Sequence, residues 1–512
     1  MQLRLVAALA LGGLALTSVT HAQTSTAAQH PGTVANRPGI SQLPELGDGS
    51  ELTASAERRL GDGIARDMFH DPDYIDDPVV YEYVDAIWQS LLAAARASGG
   101  MSAELDQRFA WQILMGRDPT VNAFALPGGY LGLNLGLVAV VTSRDELASV
   151  LGHELSHVTQ RHISRLISRQ GRQMPLMIGA MILGALAASK SPDAASALIV
   201  GGQAMTIQNQ LNFSRDMERE ADRVGFNVMT QAGFAPQGFV SMFEKLQQAA
   251  RFNDTGDFPY LRNHPLTTER IADMQARQRA SGASSTPIPL TLEQAMVSAR
   301  ARVLSTPAVD GQRQLAGEAA SATLGAQPAA RQAGALYAGA LAASNLRDFA
   351  EAHRFLTRLE AVVQGDAKAV RLATLLSVEL ALRAGQPAPV LAGSDRPEVF
   401  LSSQVLIGTG RAGEAASKLQ TWVARHPKDA SAWLLLSRAY SSQGMTLRAI
   451  RADGEAQVAQ LDYPAALDRF KAAQALVHNK TDGVGADYIE ASIVDTRARQ
   501  MESLIREQAL KR

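Results

Sequence analysis

The segment Val150-Leu151-Gly152-His153-Glu154-Leu155-Ser156-His157-Val158-Thr159-Gln160 constrains this chain more than any other. Two histidines stand four residues apart, with a glutamate directly after the first. On an α-helix, positions i and i+4 lie one turn apart on one face, so both imidazoles can reach one divalent ion. Glu154 falls about 100° round that helix, beside the ion and not among its ligands. A carboxylate there can take a proton from water whose pKa a zinc ion has lowered. The flanks Asp145-Glu146-Leu147 and Val158 to Leu166 keep helical periodicity, so the spacing predicts a helix through the whole stretch.

Such a site needs a third ligand. His162 is nine residues from His153, and about 100° per residue puts it on the far side of a continuous helix. It is expected to pack or to hydrogen-bond. A third histidine on an extended motif would require Gly at 160 and His at 163, where this chain has Gln160 and Ile163. The better candidate is Glu218, within Arg215-Asp216-Met217-Glu218-Arg219-Glu220-Ala221-Asp222. Glu218 and Asp222 are again i and i+4, facing the same way on a second helix. Glu218 can close a His₂Glu site and leave a fourth position for water. Asp222 can support a ligand histidine, or donate a proton in the reaction. Glu220 is expected on a solvated acidic face.

Composition narrows the alternatives. The 512 residues contain no cysteine, which removes thiolate zinc sites, disulfides, cysteine nucleophiles and a lipidated cysteine anchor. Lys+Arg 49 against Asp+Glu 50 leaves a net charge of −1, which argues against a nucleic-acid binder. Hydrophobic residues at 46% and charged residues at 19% describe a globular chain, of roughly three units by length. Only 5% aromatics amid abundant Ala and Leu favours a mainly α fold with a small β element.

Five segments follow along the chain. Arg4, the apolar run Leu5 to Leu16 and Thr20-His21-Ala22 read as a cleavable signal peptide over 1–22, the alternative being an uncleaved anchor; cleavage would export the product, in a bacterial envelope to the periplasm. Residues 23–50 are rich in Ser, Thr, Pro, Gly and Ala and read as a flexible segment. Residues 51–280 are helical apart from Trp111 to Val141, where short β-like runs surround Pro127-Gly128-Gly129. Residues 281–290 read as a linker. Residues 291–512 are almost entirely Ala/Leu-rich helix.

A 34-residue offset links Val399 to Trp433 in this last segment. It brings Ala415, Pro427, Tyr440, Ala449 and Ala456 into positions expected of tetratricopeptide-like helix pairs, with an irregular earlier match at Leu336 and Ala352. Stacked pairs make a concave surface suited to holding another protein; the alternative is a plain helical bundle. The uncharged stretch Met174 to Ala188 and the run Ala194 to Thr206 are short for membrane spans. They read as a helical hairpin over the site, or as a peripheral membrane contact.

HExxH, the distant Glu218/Asp222 pair and the later Asn263-His264-Pro265 together resemble the zinc endopeptidase family of the CAAX prenyl proteases. The closer likeness is to its exported bacterial branch, in which a catalytic domain precedes tetratricopeptide repeats. Val121-Asn122-Ala123-Phe124-Ala125-Leu126-Pro127-Gly128-Gly129-Tyr130 resembles that branch's segment ahead of the zinc helix. The likeness is strong over 51–280 and weak in the repeats. It implies one Zn2+ per chain on His153, His157 and Glu218, with Glu154 as catalytic base and Asp222 as an auxiliary catalytic residue. It further implies that His264 can fill zinc's open position in a latent state; the alternative is a plain loop histidine. It implies protein substrates, among them misassembled outer-membrane β-barrel proteins, and as a partner the machinery that assembles them. Residues 121–126 can form an edge strand that pairs with an extended substrate, or a buried structural strand. Two other functions remain open: a chaperone or assembly scaffold with a mostly silent metal site, and a zinc hydrolase acting on something other than protein.

Overall fold

The computed structural model describes residues 52–169, 213–251, 259–283, 286, 288–479 and 488–510. The expected signal peptide, the segment 23–50 and the two apolar runs Met174 to Ala188 and Ala194 to Thr206 lie outside them.

Helix α1 (Ala54–Phe69) starts where the Thr53 hydroxyl accepts from the amide of Ala56. Helix α2 (Pro78–Ala97) has proline in its first turn and Asp77 accepting from the amide of Val80. Its stripe of Val80, Val84, Ile87, Trp88 and Leu91 is fully buried. After α3 (Ala103–Arg108) come strands β1 (Gln112–Gly116), β2 (Ala123–Leu126) and β3 (Tyr130–Asn134). The sheet order is β1-β3-β2, with β3 parallel to β1 and antiparallel to β2, so β2 lies on an edge. The β2–β3 turn needs Gly128 at φ 73°, where a Cβ would sit 2.7 Å from the Arg58 Cα.

The β-like character expected up to Val141 stops earlier. Leu135–Val140 is a short helix, α4, with Leu135 to Val138 buried. A continuous apolar run carries no period with which to tell strand from helix.

Helices α5 (Arg144–Thr159), α6 (His162–Arg169), α7 (Arg215–Gln231), α8 (Gln237–Arg251), α9 (Tyr260–Asn263) and α10 (Thr268–Ala280) complete the first part. The helix expected to run unbroken to Leu166 ends at Thr159. Arg161 takes φ 53° and starts a new axis. Its guanidinium reaches Glu57 at 3.1 Å and the Leu52 carbonyl, which holds this turn in place.

Helices α11 (Leu292–Leu304), α12 (Val309–Ala320), α13 (Ala329–Asn345), α14 (Phe349–Val362), α15 (Ala367–Ala384) and α16 (Arg396–Gly408) follow. Then come α17 (Ala412–Arg425), α18 (Ala430–Ser441), α19 (Thr446–Ala459), α20 (Tyr463–Asn479) and α21 (Tyr488–Leu510). The fold is therefore mainly helical, with an extended helical repeat region after the first part. Ala415 and Ala449, one offset apart, are both buried where successive helices meet, as are Leu336 and Ala352. The small side chains of Ala352, Ala415 and Ala449 let the helices approach.

One apolar core runs without interruption from Ala54 to Val405. The change of character at 281–290 does not end packing, because α11 lies against α4 and α2. Three arginines of later helices reach back to the start of α2. Arg300 forks onto Asp77 at 2.6 and 2.8 Å, Arg371 onto Glu82 at 2.7 and 3.0 Å, and Arg396 onto Asp76 at 2.6 and 2.8 Å. No helix among the described residues is long and apolar enough to cross a membrane.

Candidate metal centre

Helix α5 is the central rod of the first part: every residue from Glu146 to Val158 is buried. The Ser143 hydroxyl caps it by accepting from the amide of Glu146, and Asp145 and Glu146 complement the dipole in its first turn. Helix α7 begins the same way at Ser214, which accepts from the amide of Met217. The two helices meet at a pair of glycines. A Cβ on Gly225 would lie 2.9 Å from the Gly152 carbonyl carbon and 2.9 Å from the His153 nitrogen. This bare contact brings Glu218, two turns from Gly225, up to the paired histidines.

His153 Nε2 and His157 Nε2 are 3.0 Å apart. Glu218 Oε2 lies 3.5 Å from His153 Nε2, and Glu218 Oε1 lies 3.5 Å from His157 Nε2. From the loop after α9, His264 Nδ1 approaches to 3.2 Å from His153 Nε2 and 3.0 Å from Glu218 Oε1. All four side chains are buried, with ligand atoms within 4.8 Å of one another. Zinc bound at about 2.0–2.1 Å in a tetrahedron sets its ligand atoms about 3.3 Å apart, which matches these separations. The donors fit one Zn2+.

Negative charge gathers around the paired histidines. Burial disfavours the charged ring of His153, but Asp222 and Glu218 outweigh it and push its pKa up to about 9. Burial and the neighbouring His153 hold His157 well below the usual histidine range. Burial works against the Glu218 carboxylate too, yet His264 and His153 keep it well below the usual range. A dry pocket that keeps a carboxylate ionised among imidazoles suits a cation.

Behind the ligands lie the groups that aim them. His153 Nδ1 lies 3.0 Å from Asp222 Oδ1. Arg270 donates to both Asp222 oxygens at 2.6 and 2.7 Å, and its Nη1 lies 2.8 Å from Glu218 Oε2. His157 Nδ1 lies 2.8 Å from His162 Nδ1, and His162 Nε2 lies 3.0 Å from Glu220 Oε2. Phe213 stacks on His157 at 3.9 Å, and Tyr260 stacks on His264 at 4.6 Å.

Glu154 is buried beside this cluster. Its Oε2 accepts from the amide of Ala125 on the edge strand β2 at 2.9 Å. Its Oε1 has no hydrogen-bond partner among the described residues and lies 3.5 Å from His264 Nε2. Burial raises the Glu154 pKa, with His264 and His153 opposing.

The structure thus brings together all six residues singled out in the sequence: His153, Glu154, His157, Glu218, Asp222 and His264. His162 lies outside the cluster of four and hydrogen-bonds to His157, by a route that a continuous helix would not give. The break at Arg161 turns it against the rear nitrogen of His157. Glu220 is partly exposed, as a solvated face requires, and also binds His162 and Arg165. Arg270 was not legible: it lies 48 residues past Asp222, and nothing local links the two.

Fold and cluster define a helical zinc metallopeptidase. The model of peptidase family M48 matches residues 83–278, from within α2 to within α10. A relative in Vibrio cholerae, provisionally named a beta-barrel assembly-enhancing protease, is 31% identical over 451 residues, covering 85% of this chain and 88% of that one. The beta-barrel assembly-enhancing protease of Escherichia coli K12 is 29% identical over 475 residues, covering 90% and 91%. Metalloprotease LoiP of the same organism is 29% identical over 172 residues, covering 34% and 64%. The chain belongs to peptidase family M48, and its His/His/Glu cluster is the zinc site of a metalloendopeptidase.

Proposed function

We propose that this chain is a periplasmic endopeptidase of protein quality control that degrades misassembled outer-membrane β-barrel proteins near their assembly machinery. The names of its two long relatives support this reading. The exported location rests on those relatives and on the leader-like residues 1–22. In this reading residues 51–280 are the catalytic domain, 281–290 a linker, and 291–512 a tetratricopeptide-like domain that positions protein substrates. The finer placement, in the exported branch of the CAAX prenyl protease relatives, rests on the segments Val121 to Tyr130 and Asn263-His264-Pro265.

The observation that carries the reading is the position of Glu154 between the metal cluster and edge strand β2. When bound, zinc polarises the scissile carbonyl and makes water acidic. Glu154 would take a proton from the attacking water through Oε1 and pass it to the leaving nitrogen. The outward amide of Ala125 holds the other oxygen. An extended substrate adds to the β2 edge by backbone hydrogen bonds. Asp222, with Arg270 on both oxygens, acts by holding His153 in place. With zinc bound, His264 would take the fourth corner as a ligand at rest and would have to leave before water and substrate enter.

That fourth corner also favours a second reading: a chaperone or scaffold whose metal site is mostly silent. Cleavage of β-casein and of an unfolded β-barrel protein separates the two. His264→Ala is expected to cleave faster than wild type, while Glu154→Gln and chelator-treated protein are expected to be inactive with the repeats intact. Zinc-loaded His264→Ala that leaves both substrates whole would refute the peptidase reading in favour of the scaffold.

A further inference from the structure

We propose that His162 and Glu220 are positioning residues, which fix His157 as the one tautomer able to offer Nε2 to zinc. The inference rests on the zinc reading and goes past it, to how one ligand is held.

The direction of every proton in this chain follows from its outer end. Arg165 Nη2 donates to Glu220 Oε2 at 2.7 Å and keeps that carboxylate an acceptor. His162 Nε2, 3.0 Å from the same oxygen, must therefore carry the ring's proton and donate it. A neutral His162 then has a lone pair on Nδ1. That lone pair faces His157 Nδ1 at 2.8 Å, a separation that works only if His157 donates. With its proton on Nδ1, His157 has a lone pair on Nε2, the atom that lies among the other ligand atoms. Phe213, stacked at 3.9 Å, fixes the plane of the ring.

Removing the outer carboxylate frees His162 to place its proton on Nδ1. Two N–H groups would then meet head-on, and the cheapest escape moves the His157 proton to Nε2, where it blocks the metal. The two ligand histidines are thus held by different devices. His153 has a carboxylate directly behind it, Asp222. His157 reaches its carboxylate through a second imidazole that is fully buried. Glu220 itself is 39% exposed, so this line of hydrogen bonds ends at the surface. Histidine partners of this kind commonly govern metal retention.

Zinc dissociation constants from chelator competition test the assignment, each variant being checked for an unchanged circular dichroism spectrum and melting temperature. His162→Leu is expected to weaken zinc binding by about 10–100-fold. His162→Asn puts an amide oxygen near the position of the ring Nδ1 and is expected to recover most of that loss. Glu220→Ala, at a partly exposed position that threatens folding least, is expected to weaken binding by a smaller factor. In the His162→Asn background Glu220→Ala should add no further loss, because the link is already cut. Folded His162→Leu with the wild-type constant overturns the proposal, as does His162→Asn impaired as much as His162→Leu. Additive losses from Glu220→Ala and His162→Asn overturn the link between them. A wild-type chain that binds no zinc overturns the metal centre itself, a distinguishable failure.

Discussion

Replacing Gly225 with alanine sets two local effects against each other. In a free helix the change is worth about 1 kcal/mol in favour of alanine. Here the new Cβ would sit 2.9 Å from both the Gly152 carbonyl carbon and the His153 nitrogen. Carbon atoms rest at about 3.5–4.0 Å, so α7 must back away from α5 by about 0.6 Å or more. Both obstacles are backbone, and no rotamer relieves them. Overpacking of this kind costs about 1–3 kcal/mol, so net stability should fall by no more than about 2 kcal/mol. The metal suffers more, because Glu218 rides on α7 and His153 and His157 on α5. Zinc tolerates errors of about 0.2 Å in ligand position, well below the forced shift.

Gly225→Ala is therefore expected to fold, to melt slightly below wild type, and to bind zinc far more weakly in a chelator competition. Gly152→Ala, whose nearest contact would be 3.2 Å, should show the same defect in milder form. The reasoning fails if Gly225→Ala holds zinc as tightly as wild type, or if Gly152→Ala is the worse of the two.

Further outcomes follow from single residues. Glu218→Gln is expected to lower zinc below one ion per chain by elemental analysis; full occupancy would remove Glu218 from the ligand set. Asp77 is buried, which by itself raises its pKa, but the Arg300 fork outweighs burial and holds it below the ordinary value. A lowered folded-state pKa stabilises above the unfolded value of about 3.9, and that stability is lost as pH falls through the folded value. Asp77→Asn should cost about 1.5–3 kcal/mol near neutrality, because Arg300 loses its fork but keeps Glu379 at 2.7 Å. Denaturant melts should show the gap between wild type and Asp77→Asn closing below about pH 4. A gap that stays constant with pH would mean that the pair contributes nothing through its charge.

Much of the centre could be read from the chain because helix geometry is local. His153 with His157, and Glu218 with Asp222, each share a face at i and i+4 wherever such a helix goes. The helix pairs around Ala415 and Ala449 showed for the same reason, since small residues recur where helices touch. The break after Thr159 did not show. Nothing near Arg161 forces φ 53°; it is held by Glu57 and Leu52, more than a hundred residues earlier. That one turn moves His162 from the far side of a continuous helix to the back of His157, and so gives Glu220 its partner.

The sequence pointed to residues able to serve a metal, because His153 with His157 and Glu218 with Asp222 are each set by one helical turn. How they are held is a matter of packing between distant segments. The glycine contact between α5 and α7, the reach of Arg270 to Asp222 and the Ala125 amide on Glu154 all join segments far apart in the chain. Their distances follow from how buried surfaces pack, and no local rule contains that.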